Sequence, residues 1–398
     1  MKSGIDPRVY ILTFTAFVML SSEFIVAGLL PEISSSLHIS LGHAGGLVTA
    51  FALGMSVSSP LLALYTQEVS LRRLMILACV ALLVGNVLSS VTQAYEWLLL
   101  GRFIGGVGVA IFWTNSGLCA VALSRGRNEH VAMSRVLIGI SIASVVGVPM
   151  GKWVATYFDW MAAMWLMSVA SLIALISVVL WVKPHETPRT RQPFLALARK
   201  ALEPEIRYCL ISCVLIFAGI SCLFNYLAAL LGGPSQFTAS SVTLLLALYG
   251  VADIAGNLIW VRWLGRDLEP VFKWILRGLF LGLIAVSATA GLDWAIPAAI
   301  VIVAFCHAGV SLTMGIDILR RAGSAAQVIN AINVSMVNIG IVAGASFGGW
   351  MANTLGVVYV GYLGATFIAL AYGVRLWMPA SANDAVDQSG RQPVVNTP

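Results

Sequence analysis

Apolar residues fall along the chain in long runs broken by short polar stretches, and the length of the runs is the first constraint. A hydrocarbon core about 30 Å thick requires about 20 apolar residues of a helix that crosses it. Twelve runs meet that requirement, near 9–30, 45–66, 74–92, 97–122, 132–156, 162–182, 207–231, 241–263, 275–292, 296–318, 327–352 and 357–378. The ninth is interrupted at its start by Lys273 and Arg277. The pattern predicts an all-α membrane protein of twelve transmembrane helices.

Composition agrees: 59% of the 398 residues are hydrophobic and 10% charged, where soluble proteins carry roughly 25% charged residues. The formal net charge of +6 orients the chain and does not point to nucleic acid. With the N-terminus inside, Lys2, Arg8, Arg72, Arg73, Arg125, Arg127, Arg135, the stretch from Lys183 to Arg207, Arg262 to Arg277, Arg320, Arg321, Arg375 and Arg391 all fall on the inner side. Only Arg102 and Lys152 fall toward the other, so the positive-inside rule puts both termini in the cytoplasm. All six cysteines lie within proposed spans without CxxC spacing, which argues against a disulfide framework or a metal site. The first span is too long for a signal peptide and lacks a small-residue cleavage site.

The longest polar connection, 183–206, separates six spans from six and predicts an N-terminal bundle (1–182), a cytoplasmic linker, and a C-terminal bundle (207–378). A polar tail, 379–398, is expected to be disordered. The halves share a pattern: "GVPMGKWVA" from Gly147 matches "GASFGGWMA" from Gly344 at Gly, Gly, Trp and Ala. Parallel repeats about an axis along the membrane normal, with the substrate at their interface near mid-membrane, are one way secondary transporters are built.

In the fourth span, "GRFIGGVGVA" sets Arg102 before Gly106, Gly108 and Ala110. Small residues at helical spacing let another backbone approach. This pattern resembles the fourth-helix motif of the major facilitator superfamily, with Gly105 where glutamine is usual; the resemblance implies a proton-coupling role for Arg102. "GVPMG" at Gly147, Pro149 and Gly151 resembles the fifth-helix motif of its drug/proton antiporter branch, and "SEFIVAGLLPEI" is similar to the first helix of sugar-efflux-type exporters. The loop after the second span, "LYTQEVSLRR", keeps Glu68, Arg72 and Arg73 of the family's gating loop but not its glycines. Its counterpart in the second half keeps a Gly256-Asn257 entry and the pair Arg266-Asp267. The fold the resemblance implies is two six-helix bundles.

Glu23 stands inside the first span, and a charged group at mid-helix costs about 2.5–3.5 kcal/mol on insertion scales, which makes it a functional candidate. Counted at 1.5 Å per residue, Glu23 lies about 10 Å and Arg102 about 7–8 Å from the outer side, so the two meet if their helices adjoin. Burial and a guanidinium act on its protonation in opposite senses. Either Glu23 carries the proton or the two form a permanently ionised structural pair. Asp253 and His307 lie at similar depths, about 18 and 15 Å, and read either as a second relay or as a buried hydrogen-bonded pair.

Candidate substrate contacts are Phe24, Trp113 beside Asn115, Asn225 and Tyr226, Asn257, and Asn333 and Asn338; the asparagines read equally as links between helices. No HExxH occurs and no span pairs a His with an Asp within one helical turn, which argues against an enzyme. The expectation is a monomeric multi-pass protein of a bacterial inner membrane. It would export a small molecule (drug, sugar or metabolite), driven by the proton gradient without a cofactor. Import by proton symport with the same fold is the alternative.

Overall fold

The computed structural model describes residues 6–124, 129–184, 193–264 and 268–377, and among these it contains no strand. Twelve helices are long and apolar enough to cross a membrane: α1 Arg8–Ser36, α2 Leu41–Tyr65, α3 Leu71–Val91, α4 Tyr95–Ser124, α5 Val131–Tyr157, α6 Trp160–Trp181, α7 Pro204–Gly232, α8 Ala239–Trp263, α9 Leu268–Ala288, α10 Ile296–Ala322, α11 Val328–Thr354 and α12 Val357–Leu376. Helix is the form in which an apolar segment satisfies its own backbone in lipid. Ser40, Ser70 and Asp159 cap α2, α3 and α6 by accepting from backbone N–H groups. The described part of the 183–206 linker holds a short helix, Phe194–Ala198, and a 3-10 turn. The tail at 379–398, most of the linker's basic stretch and the pair Arg266-Asp267 lie outside the described residues.

Three departures from the hydropathy reading have a local cause. α1 does not stop at Leu30 but runs through Pro31 to Ser36, since a proline removes one donor without ending a helix that neighbours support. α9 begins at Leu268, seven residues earlier than the apolar run (275 − 268), and takes in Lys273 and Arg277, whose long stems let a cation on the bundle's outside reach the interface. α7 is broken at Asn225 and Tyr226, between a helix ending at Phe224 and one starting at Leu227.

The packing repeats across the halves. α1 lies on α5 and α6, α2 on α4, and α3 on α4 and α6; in the same order α7 lies on α11 and α12, α8 on α10, and α9 on α10 and α12. The shared glycine pattern does equivalent work in both. A methyl group added at Gly147 would come within 2.9 Å of Ser21 Cβ on α1, and one at Gly344 within 2.6 Å of Ser221 Cβ on α7. Before Gly147, α5 widens into a π turn, Ala143–Gly147, which leads into Pro149.

The halves meet along α2 and α11 and along α5 and α8. Call the end of the bundle that holds Arg8 and Leu376 the terminal end. At the far end, Asn353 accepts from Gly42 N at 3.1 Å and donates to Ser40 Oγ at 3.1 Å. The far-end portions of α1 and α2 share one apolar core with α7 to α12, whereas the terminal-end portion of the first half has a core of its own. The α5–α8 contact runs from the far end to Gly250 against the π turn, while Glu129–Ile142 packs on α1 and α4. Ser335 Oγ donates to Ser56 O at 2.5 Å where α11 crosses α2. One apolar core therefore joins the two halves at the far end, whereas toward the terminal end each half keeps its own core and α2 and α11 touch at Ser56 and Ser335.

A buried ion cluster ties the terminal end of the second half. Arg375 Nη2 lies 2.8 Å from both Asp317 Oδ2 and Glu269 Oε1, and Arg321 Nε lies 2.6 Å from Asp317 Oδ1. Lys152, which ran against the charge asymmetry, is buried on α5 and paired with Glu32 of α1.

Candidate transport site between the two halves

Glu23 sits in the middle of α1, and α4 brings Arg102 to the same turn. The guanidinium does not grip the carboxylate. Arg102 Nη1 donates to Ser22 O at 2.7 Å and Nη2 to Glu23 O at 3.1 Å, and the Phe51 ring lies 4.1 Å beneath it. Gly105 and Gly106 make this approach possible, because a Cβ at either would press on Phe51 or its backbone. Arg102 is 3% exposed and is held by backbone acceptors, which leaves the Glu23 carboxylate without an ion pair or hydrogen bond among the described residues.

That carboxylate faces a cavity of about 40 Å³ between the halves, lined also by Phe24, Phe51, Ser221, Phe224 and Asn225. Such a volume holds water but no organic solute, for which sites are typically about 300–1,000 Å³. Asn225 is buried at the break in α7, and its Nδ2 has no partner among the described residues. A carboxylate acceptor, an amide donor and a hydroxyl thus converge among aromatic rings, in a space that has to widen before a solute enters.

A second cluster lies across the seam on α8 and α10. His307 Nδ1 is 3.2 Å from Asp253 Oδ1 and 3.2 Å from the Tyr249 hydroxyl. With a proton on Nδ1 the ring donates to Asp253; without it, the ring accepts from Tyr249. Asn257 Nδ2 donates to Asp253 Oδ2 at 3.4 Å, so this amide belongs to the acid cluster rather than to the cavity wall. Aromatic rings connect the two sites: Phe24 to Phe224 at 5.7 Å, Phe224 to Tyr249 at 5.2 Å, Tyr249 to His307 at 6.1 Å.

Other expected contacts lie elsewhere. Tyr226 is fully buried, with its hydroxyl donated to Ala345 O at 2.6 Å in a slot made by Gly45, Gly348 and Gly349, and it does not face the cavity. Trp113 packs on Phe112 at 5.3 Å against the core of the first half, and Asn115 is buried and donates to Ile111 O of its own helix at 3.0 Å. Asn333 and Asn338 are buried on α11, each with an unpaired Oδ1; Ile341 is the residue of that helix that lines the cavity. Among the motif residues, Gly108 packs on Ala78 and Leu82 of α3, Gly151 on Ile25, and Arg72 donates to Val179 O of α6 at 2.9 Å. Arg73 is exposed, its backbone N–H capped by Ser70, and Glu68 is exposed in the same loop. Sequence reasoning missed Phe51, Ser221 and Tyr249. The last two were signalled by standing one helical turn before Asn225 and Asp253.

Twelve helices long and apolar enough to cross a membrane, in two repeated bundles with a carboxylate, a hydroxyl and an amide set among apolar side chains at a cavity on their seam, define a membrane transporter. Residues 12–333 match the family model of the Major Facilitator Superfamily, and the chain belongs to that superfamily. It is 28% identical over 369 residues to a probable sugar efflux transporter of Mannheimia succiniciproducens, covering 92% of this chain and 91% of that one. It is 24% identical over 366 residues to a probable sugar efflux transporter of Helicobacter pylori, covering 92% and 93%. In fold it is similar to the crystal structure of a D-xylose-proton symporter, with a TM-score of 0.72 at 13% identity over 94% of this chain and 97% of that one.

Proposed function

We propose that this transporter exports a small polar solute of the sugar class from the bacterial cytoplasm in exchange for protons, with Glu23 as the proton carrier. The observation that carries the reading is the Glu23 carboxylate, unpartnered on the cavity between the halves while Arg102 holds the backbone of its turn. A carboxylate in a fixed ion pair has no reason to change charge; this one is free to take a proton from the outside and lose it to the inside. The protonated form accepts no hydrogen-bond donor of a sugar as strongly as the carboxylate does, so protonation favours solute release. Asp253 and His307, joined at 3.2 Å beside the Tyr249 hydroxyl, are the candidate second relay in the other half, and Phe24, Phe51 and Phe224 offer apolar faces to a sugar ring. The chain's similarity to probable sugar efflux transporters supports export of sugars, and the excess of Lys and Arg on one side supports cytoplasmic termini.

The test is counterflow and gradient-driven transport in proteoliposomes with a panel of mono- and disaccharides. Wild type should move at least one of them faster with a proton gradient directed opposite to solute movement. Glu23→Gln should retain solute exchange without a gradient and lose acceleration by it at least tenfold. A Glu23→Gln protein as responsive to the gradient as wild type would exclude this residue as carrier. Solute accumulating with the proton flow would make the protein a symporter.

A further inference from the structure

Lys273 and Arg277 stand one turn apart on α9, and neither faces the interior. Arg277 is exposed on the outside of the bundle, on a surface shared with Trp274, which is 66% exposed. Its guanidinium lies 5.0 Å over the Trp274 ring and 5.7 Å from that of Tyr372 on α12, and Nη2 donates to the Tyr372 hydroxyl at 2.9 Å. Among the described residues no carboxylate pairs with either cation. The nearest acid on the same helix, Glu269, is taken by Arg375 and Arg321 of the buried cluster.

Nine residues into a helix is about 13–14 Å along it, a depth at which an uncompensated charge meets lipid. Helical side chains lean toward the N-terminus, and this one lies over Trp274, three residues earlier, so the charge is carried back toward the interface at the terminal end. Tryptophan and tyrosine belong at that level. A tyrosine hydroxyl accepts a bond but neutralises nothing. Four of the five guanidinium N–H groups remain, in a fork that fits two oxygens of a phosphate, and Lys273 adds a point charge one turn nearer the headgroups. Beside Tyr372, a Cβ at Gly373 would meet nothing within 4 Å, and Leu281 and Leu370 are exposed farther along the same two helices.

We propose that the α9–α12 face is a binding site for an anionic phospholipid of the leaflet at the terminal end, its phosphodiester held by Arg277 and Lys273. The headgroup rests against Trp274 and Tyr372, and the acyl chains follow the exposed leucines. The site ties the second half to the membrane surface next to its ion cluster and needs no transported solute.

Native mass spectrometry of the purified full chain with equal amounts of dioleoylphosphatidylglycerol and dioleoylphosphatidylcholine tests it. The anionic lipid should be retained at least fivefold over the zwitterionic one, and Lys273→Gln with Arg277→Gln should bring the two lipids to parity. A second readout avoids doubt about that variant's folding. In vesicles of phosphatidylcholine with one-fifth brominated phosphatidylglycerol, wild type should lose more fluorescence than Trp274→Phe, with the difference vanishing when the bromine is on phosphatidylcholine. Equal retention of both lipids by wild type, unchanged preference in the double variant, or full competition by soluble glycerol phosphate would overturn the proposal.

Discussion

The hydroxyl of Tyr226 donates to the Ala345 carbonyl at 2.6 Å inside a slot whose walls are glycines from both halves. Ala345 lies inside α11 and its carbonyl keeps its helical bond, so replacing the tyrosine with phenylalanine removes one added hydrogen bond, a loss of about 0.5–1.5 kcal/mol. Tyr226→Phe should therefore lower the melting temperature of the detergent-purified protein by several degrees while leaving the apparent KM for a transported sugar within twofold. A KM raised tenfold with an unchanged melting point would return Tyr226 to the binding site. Glu23 is the opposite case, a polar group with no partner in its own fold. It was legible in the sequence because a carboxylate in an apolar run has to be explained. So was the Asp253–His307 pair, from equal depth on helices expected to adjoin. Phe51 and Ser221 were not, because phenylalanine and serine are common in such spans and which way each faces is decided by helices far away in sequence. The placement of Tyr226 was hidden for the same reason: a tyrosine fits a ligand wall, and only the glycines opposite seat it as a wedge.

Helices are where hydropathy reads well and where its errors are instructive. All twelve were legible as runs, since lipid leaves an apolar segment no other form. The start of α9 was not, because the charged residues that end an apolar run do not end a helix whose charges have somewhere to go. Glu269, in its first turn, pairs with Arg375 of α12, which also binds Asp317 of α10. Asp317 and Arg375 are 2% and 5% exposed, and Arg375 already has two buried N–H positions without partners. Removing the aspartate leaves two arginines buried with less compensation, a loss of about 3–5 kcal/mol. Asp317→Ala should melt at least ten degrees lower in detergent than wild type, and Asp317→Ala with Arg375→Leu should recover part of the loss. Equal melting of Asp317→Ala and wild type would mean the cluster does not hold α9, α10 and α12 together.

The whole molecule is asymmetric along the membrane normal, although its two halves pack alike. At the far end one apolar core runs through both halves and Asn353 fastens α11 to the start of α2; toward the terminal end the first half keeps a separate core. A cavity of about 40 Å³ has to open for a solute to pass, and a close-packed seam opens by separation rather than by stretching, so the halves must part at the far end once in each cycle. That step can be blocked chemically. Ser40 Oγ and Asn353 Nδ2 are 3.1 Å apart, and the six native cysteines are buried. Cysteines at Ser40 and Asn353, joined by a short bis-methanethiosulfonate whose sulfinate groups leave as the two disulfides form, should reduce transport at least tenfold, and reductant should restore it. The single-cysteine variants, treated identically, should keep their activity. Solute binding measured from the terminal-end side should survive in the cross-linked protein, because only the far end is held. Transport that continued at full rate with the cross-link intact would show that the far end stays closed throughout, and that solute leaves by a path other than the seam between the halves.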